Sequence, residues 1–215
     1  MKNFIFIHVM KCGGTTANTA LRAACGGHYY WDRSFKRDGA VFIKFTDRSE
    51  KYIPGRIKQG GYKAIGGHFS INKYKHLGWP MVTIIRHPVD RVVSFYNAFE
   101  KSNEKARVYY KKVEMNPLAG CGIRTFADQC PNQMVMMLGD DPGVFQYIGL
   151  QEEMQKSLER MGVLLEININ LTKSFNITRK QFKQPISEED RRYVLERNWQ
   201  DFVFYEKACK KFNWE

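Results

Sequence analysis

Lys11, Gly13, Gly14, Thr15 and Thr16 lie close together, directly after the apolar run FIFIHV that starts at Phe4. A lysine, a glycine turn and two hydroxyls suit an anion. Glycines let the backbone approach it, the free N–H groups of a helix start point at it, and the lysine adds a full charge. The order differs from the common nucleotide loop, G-x-x-x-x-G-K-[ST], because Lys11 precedes the glycines. A second group of similar chemistry stands in IIRHPVDRVVSFY, where Arg86 leaves an apolar run and Ser94 follows eight residues later. That spacing is about two helical turns, and an arginine fork with a hydroxyl can clamp one phosphate. The third is His68 in AIGGHFS, a side chain whose ordinary titration range suits proton transfer. Each has a plainer alternative: an exposed lysine beside an ordinary turn, an arginine capping a carbonyl, a serine packed in its helix, a histidine satisfied in a core.

The elements that must position these residues follow from the apolar pattern. Residues 3 to 9 read as a buried strand, and TTANTALRAACGG spaces Ala17, Ala20, Leu21 and Ala24 helically before Gly26 and Gly27 stop the helix. An aromatic stretch covers 29 to 45, with a weak helix in KYIPGRIKQ, then a glycine turn and a short strand at about 62 to 66. Residues 81 to 85 make a cleaner buried strand, and Pro88 with Asp90 opens a helix carrying Val92, Val93, Phe95, Tyr96 and Phe99. From residue 104 onward the pattern is helical and amphipathic, with Ser187 as an N-cap three residues before Asp190. Early strands with crossover helices, followed by helices, predict a three-layer α/β fold around a mostly parallel sheet, in one domain spanning 1–215. In such a sheet ligands bind beyond the carboxyl ends of the strands, where all three groups fall.

Composition bounds the rest. Hydrophobic residues at 43% and aromatics at 14% fit a globular chain. No apolar stretch approaches the roughly 20 residues needed to span a bilayer, so stable membrane insertion is not expected. The start lacks the features of a secretory signal. Thirty-four Lys and Arg against 22 Asp and Glu give a net charge of +12, which attracts polyanions without naming one. Five cysteines with no C-x-x-C indicate neither a zinc site nor a complete disulfide set, and point to a reducing, cytoplasmic setting. A Golgi lumen is the alternative for a chain that has lost an N-terminal anchor. The sequons at Asn170 and Asn176 would matter only in a secreted protein.

Taken together, FIHVMKCGGTT and RHPVDRVVSFY resemble the two signature segments of sulfotransferases that use 3′-phosphoadenosine 5′-phosphosulfate (PAPS). The likeness is strongest to the branch of heparan sulfate and chondroitin uronyl 2-O-sulfotransferases. The first segment is similar to that family's 5′-phosphosulfate loop, the second to its 3′-phosphate motif R-x-P-x-x-R-x-x-S-x-Y, and GGHFS to the stretch carrying the catalytic histidine of the 2-O branch. NQMVMMLG, YIGLQEEM and ERNWQDFVFY are similar to its later helical landmarks, so the resemblance runs from residue 3 to about 206. It departs at Met10, where the family usually has proline, and at Gly66, which stands where part of the branch has a second histidine.

The resemblance implies a P-loop-like sulfotransferase fold and in-line transfer of a sulfuryl group from PAPS to an acceptor hydroxyl, with 3′,5′-adenosine bisphosphate (PAP) as product and no metal. It gives Lys11, Cys12, Gly13, Gly14, Thr15 and Thr16 to the 5′ phosphosulfate, Arg86 and Ser94 to the 3′-phosphate, Lys11 also to the leaving group, and His68 to the acceptor proton. The acceptor's carrier is open, an acidic glycan being one candidate, with Lys73, Lys75, Arg107, Lys111 and Lys112 as basic residues to meet it. Two rivals stand beside it. A P-loop kinase needs G-K-[ST] and an Asp at the end of a later strand, where Arg86 stands instead. A non-catalytic polyanion binder fits the charge, but the basic residues are scattered, no nucleic-acid module is present, and nucleic acid is not an expected partner. Nothing in the sequence sets the oligomeric state.

Overall fold

Five short apolar segments hydrogen-bond side by side, all parallel, in the computed structural model, which describes residues 1–32, 57, 59–101, 122–129, 131–170 and 186–214. They are β1 (Phe4–Ile7), β2 (Tyr29–Asp32), β3 (Ala64–Gly67), β4 (Met81–Ile85) and β5 (Tyr147–Leu150), in the order β2-β3-β1-β4-β5. β1 lies at the centre, with its two sequence successors on one side and β4 and β5 on the other, so the crevice where connections diverge opens above its carboxyl end. Strands β1, β3, β4 and β5 are buried along their whole length, the apolar signature of a parallel sheet covered on both faces.

Alternate residues of the strands feed two cores. Phe4, Phe6, Ala64, Val82 and Ile84 pack with Ala17 and Leu21 of α1 (Gly14–Cys25) and with Leu158, Met161 and Leu165 of the later α5 (Met154–Leu165). On the opposite face Ile5, Ile7, Ile65, Ile85 and Ile148 meet Met134, Met137 and Leu138 of α4 (Gln133–Leu138) and Phe204 and Ala208 of α7 (Trp199–Lys211). A third, smaller core joins Val89 and Val92 of α2 (Pro88–Lys101), Ile123, Phe126 and Ala127 of α3 (Ile123–Gln129) and Val194 of α6 (Glu188–Arg197). The three-layer α/β architecture therefore matches the expectation.

Two strands were not anticipated. β2 lies in the aromatic stretch, where the sequence pattern marks no element, and β5 lies in YIGLQEEM, which the resemblance groups with helical landmarks. Runs as short as YYWD and YIGL show no readable period, and a buried strand of that length is told from a helix only by its neighbours. Elsewhere the described elements agree: 81–85 is a strand, α1 ends at Gly26 with φ 56°, and Ser187 Oγ caps α6 by accepting from Asp190 N; of the helical pattern read from 104 onward, 104–121 and 171–185 lie outside the described residues. The weak helix in KYIPGRIKQ lies largely outside the described residues.

Candidate anion-binding and catalytic site

The turn between β1 and α1 is built to present backbone N–H groups. Lys11 has φ 65° and Gly13 φ 72°, both left-handed. For a lysine that conformation costs roughly 1–2 kcal/mol, the kind of local strain that marks a functional turn. α1 has no side-chain cap at its N-terminus and no acidic residue in its first turn, so its first amides and its positive dipole end face the turn. Gly13 is required by its left-handed φ and Gly14 by the closeness of the His8 ring. A Cβ on Gly13 would strike Met154 and Gln151, from the segment after β5, and a Cβ on Gly14 would strike the ring of His8. Cys12 is fully buried in the core, where burial pushes its thiol up to about 12 against the opposing pull of Arg91 and Arg86. Its side chain is therefore packing, with Sγ 3.6 Å from the Met10 carbonyl oxygen. Thr16 is buried and Thr15 half-buried at the head of α1.

Arg86 follows β4 directly and is half-buried, and its Nε is buried without a hydrogen-bond partner. A buried guanidinium N–H with nothing to donate to calls for an acceptor from outside the described chain. Ser94 lies on α2, half-buried, two turns beyond. Between the two, the main-chain N–H of His87 donates to Glu152 Oε1 at 2.7 Å, tying this turn to the segment after β5. The second arginine of the motif, Arg91, turns into the helical core beneath the turn, near enough to act on the Cys12 thiol, and its Nε is buried without a hydrogen-bond partner as that of Arg86 is. It is fully buried, donates to Gln133 Oε1 at 3.0 Å and Asn198 Oδ1 at 3.3 Å, and pairs with Asp201 at 3.4 Å.

His68 is the first residue after β3 and is half-buried. Its Nδ1 lies 2.7 Å from the carbonyl oxygen of His8. A carbonyl only accepts, so Nδ1 carries the proton and the neutral ring keeps its lone pair on Nε2, the form a base requires. The His8 ring stacks on that of His68 at 4.1 Å and 27°, with Trp31 of β2 edge-on to His68 at 6.1 Å. The register explains the meeting: Phe6 pairs with Gly66 and Ile7 with Gly67, so His8 and His68 leave neighbouring strands side by side. No second histidine could occupy position 66, because a Cβ there would strike the Tyr29 hydroxyl. The imidazole beside His68 is that of His8, the residue after β1.

Beyond His68 the chain is held by a buried ion pair. Lys73 Nζ lies 2.7 Å from Asp32 Oδ2, both almost fully buried, and the Tyr74 hydroxyl donates to the same oxygen at 2.9 Å. Lys73, expected as a surface contact for an acidic glycan, is instead a buried structural cation that anchors the loop carrying His68. Lys75 is exposed; Arg107, Lys111 and Lys112 lie outside the described residues. The structure thus brings Lys11–Thr16, Arg86 and His68 to the carboxyl ends of β1, β4 and β3, three adjacent strands. Sequence reasoning missed Trp31, Gln151 and Met154 as neighbours of this edge, and offers His8 only as a fallback base, not as the stacking partner of His68. For His8 a signal existed, since it alternates with Phe4 and Phe6 and so shares their face.

Among the described residues no helix is long and apolar enough to cross a membrane, and no group of three or more His, Cys, Asp or Glu is placed to hold a metal ion. Comparison with solved structures finds a mouse sulfotransferase, SULT7A1, complexed with PAP: 12% identity and TM-score 0.43, covering 79% of this chain and 60% of that one. This chain therefore spans less than two thirds of that protein's length. A sulfotransferase from Alicyclobacillus acidocaldarius is 13% identical with TM-score 0.47, covering 99% of this chain and 96% of that one. No curated protein matches. The model of the sulfotransferase family, however, matches residues 1–142, the stretch that holds the glycine turn, His68 and the Arg86 motif. The chain belongs to the sulfotransferase family.

Proposed function

We propose that this protein transfers a sulfuryl group from PAPS to the hydroxyl of an acceptor, releasing PAP. The observation that carries the reading is the convergence of the left-handed Lys11–Thr16 turn, the partnerless Arg86 Nε and the oriented His68 on one sheet edge of a sulfotransferase-family chain. The fit to a bisphosphorylated donor is chemical. The first amides of α1 and the Lys11 ammonium suit its 5′ end, and Arg86 with Ser94 suits the 3′-phosphate that sets it apart from ordinary adenylates.

PAPS supplies a sulfuryl group already activated for displacement, so the protein's work is placement, charge stabilisation and proton transfer. The amides of Gly13 to Thr16 hold negative oxygens through fixed dipoles that need no reorganisation as charge shifts. Lys11 offsets charge growing on the leaving oxygen. His68 takes the acceptor proton on Nε2 while its Nδ1–H stays on the His8 carbonyl, and that bond keeps the ring aimed. Trp31, edge-on to His68 at 6.1 Å, bounds one side of the ring. An acidic glycan is the acceptor class we favour, from the resemblance to the 2-O branch and the net charge of +12. A cytoplasmic location remains part of the proposal.

The test is thermal stabilisation without magnesium. PAP should raise the melting temperature, by about 2.7 kcal/mol of binding free energy at a hundredfold excess over Kd, and ATP should do markedly less. Equal effects of ATP and PAP would sink the reading. Arg86→Ala and Ser94→Ala should weaken PAP but hardly affect adenosine 5′-phosphosulfate, which lacks the 3′-phosphate; calorimetric titration with both nucleotides decides it.

A further inference from the structure

His8 carries a nitrogen at a cost that packing alone does not explain. The residue is 6% exposed, stacks on Phe6 at 6.1 Å and on His68 at 4.1 Å, and lies 5.8 Å from Trp31. Its Nδ1 is buried with no hydrogen-bond partner. A phenylalanine would fill the same slot between rings without stranding a polar atom, so a histidine here has a use for a nitrogen.

The surroundings say which nitrogen. A neutral imidazole bears one proton, and burying an N–H without an acceptor costs more than burying a bare acceptor nitrogen. With no acceptor near Nδ1, the proton belongs on Nε2. The Nε2 and Cδ2 edge of the ring is the edge that lies against Gly14, the first residue of α1, whose side-chain space it fills. The ring therefore places an N–H at the same uncapped helix start that presents the Gly13 to Thr16 amides. Burial, reinforced by the charge His68 can carry, holds the His8 imidazole well below histidine's ordinary range, so the ring is a neutral donor.

We propose that His8 Nε2–H is a further donor to the anion at the 5′ end of the bound nucleotide, acting beside the Lys11–Thr16 turn. The inference rests on the PAPS reading above and adds a residue to its donor site. It also accounts for Gly14: a side chain there would displace the ring that completes the anion cradle. A neutral donor has a specific merit in this place, since it strengthens the cradle without putting a second positive charge face to face with the His68 imidazolium that forms when the base takes its proton.

Three proteins test it by calorimetry with PAP and by thermal melting: the wild type, His8→Phe and His8→Gln. His8→Phe keeps the flat ring and loses the N–H; it should bind PAP roughly tenfold or more weakly, the scale of a lost bond to a charged group, while melting no lower than wild type. His8→Gln, whose amide N–H reaches about as far as Nε2, should recover most of that affinity. Nitrogen NMR of the wild-type ring should show the Nε2–H tautomer. If His8→Phe binds PAP like the wild type, or if both variants lose affinity in step with melting temperature, His8 is packing and the inference falls alone. If the wild type does not bind PAP, the donor reading falls and takes this inference with it.

Discussion

At the scale of single residues, His68 depends on which ring nitrogen holds the proton, and a carbonyl from the neighbouring strand decides it. Removing the ring by His68→Ala should cut turnover by about 10²- to 10⁴-fold, the range of general-base contributions, and leave PAP affinity near wild type. A destabilised but fully active variant, seen by measuring rate and melting temperature together, would reassign the base. Lys11 makes a different forecast. Lys11→Ala should lower turnover at saturating donor roughly 10²-fold and exceed its effect on PAP binding, because the charge is needed most as the nucleotide leaves. His8 adds a pH signature. Its folded pKa lies below the ordinary 6.5, through burial first and His68 second. The unfolded ring therefore takes up a proton near that pH that the folded ring refuses. This contribution to stability is whole above about pH 6.5 and is lost as pH falls below it. Urea midpoints from about pH 7 down to about pH 5 should decline, and His8→Phe, with no proton to accept there, should flatten the decline.

At the scale of elements, the site is a set of close approaches between segments that are distant in sequence. Gly14 admits His8, Gly13 admits Gln151 and Met154, and Gly67 lies against the Asp32 carbonyl. Gly14→Ala should destabilise by about 1–3 kcal/mol through overpacking, and the double variant with His8→Ala should cost less than the sum of the two singles. Denaturant unfolding of the three variants gives the coupling directly. The helices on the opposite face are joined by exchanged caps. Asp201 of α7 accepts from Met134 N and Val135 N at the start of α4, while Asn132, just before α4, accepts from Gln200 N and Asp201 N at the start of α7. This exchange explains why the NQMVMMLG and ERNWQDFVFY segments carry polar residues beside their apolar faces.

At the scale of the whole molecule, Arg91 is the joint between the helical layers. Its guanidinium is fully buried against Gln133, Asn198 and Asp201, so one side chain of α2 ties down α4 and α7. Burial raises the Asp201 carboxyl, with Arg91 and the Val135 and Met134 N–H groups pulling the other way. Arg91→Met should cost about 3–5 kcal/mol because it strands a buried carboxylate, and adding Asp201→Asn should recover part of the loss. Chemical denaturation distinguishes this from a donor-site role, which would weaken PAP binding at unchanged stability. At the far edge of the sheet the Trp214 indole N–H donates to the Ile148 carbonyl at 2.8 Å, with Arg160 stacked on its ring, so the C-terminal turn covers part of the β5 edge.

The sequence by itself determined the local chemistry: a glycine turn between a buried strand and a helix, an arginine leaving a strand, a histidine after two glycines. These depend on neighbours within a few residues and on periodicity, both of which a linear chain displays. Strand 81–85, the end of α1 at Gly26 and the Ser187 cap were legible for the same reason. The tertiary structure alone decided what the sheet order and register bring together. The local sequence marks Arg86 as leaving a strand, but that Arg91 is buried against Asp201 emerges only when α4 and α7 are in place. Lys73 reads as a surface lysine until β2, itself hidden in an aromatic run, brings Asp32 against it. His8 lies 60 residues from His68, and only the parallel pairing of β1 with β3 stacks the two rings and turns one histidine into the support of the other.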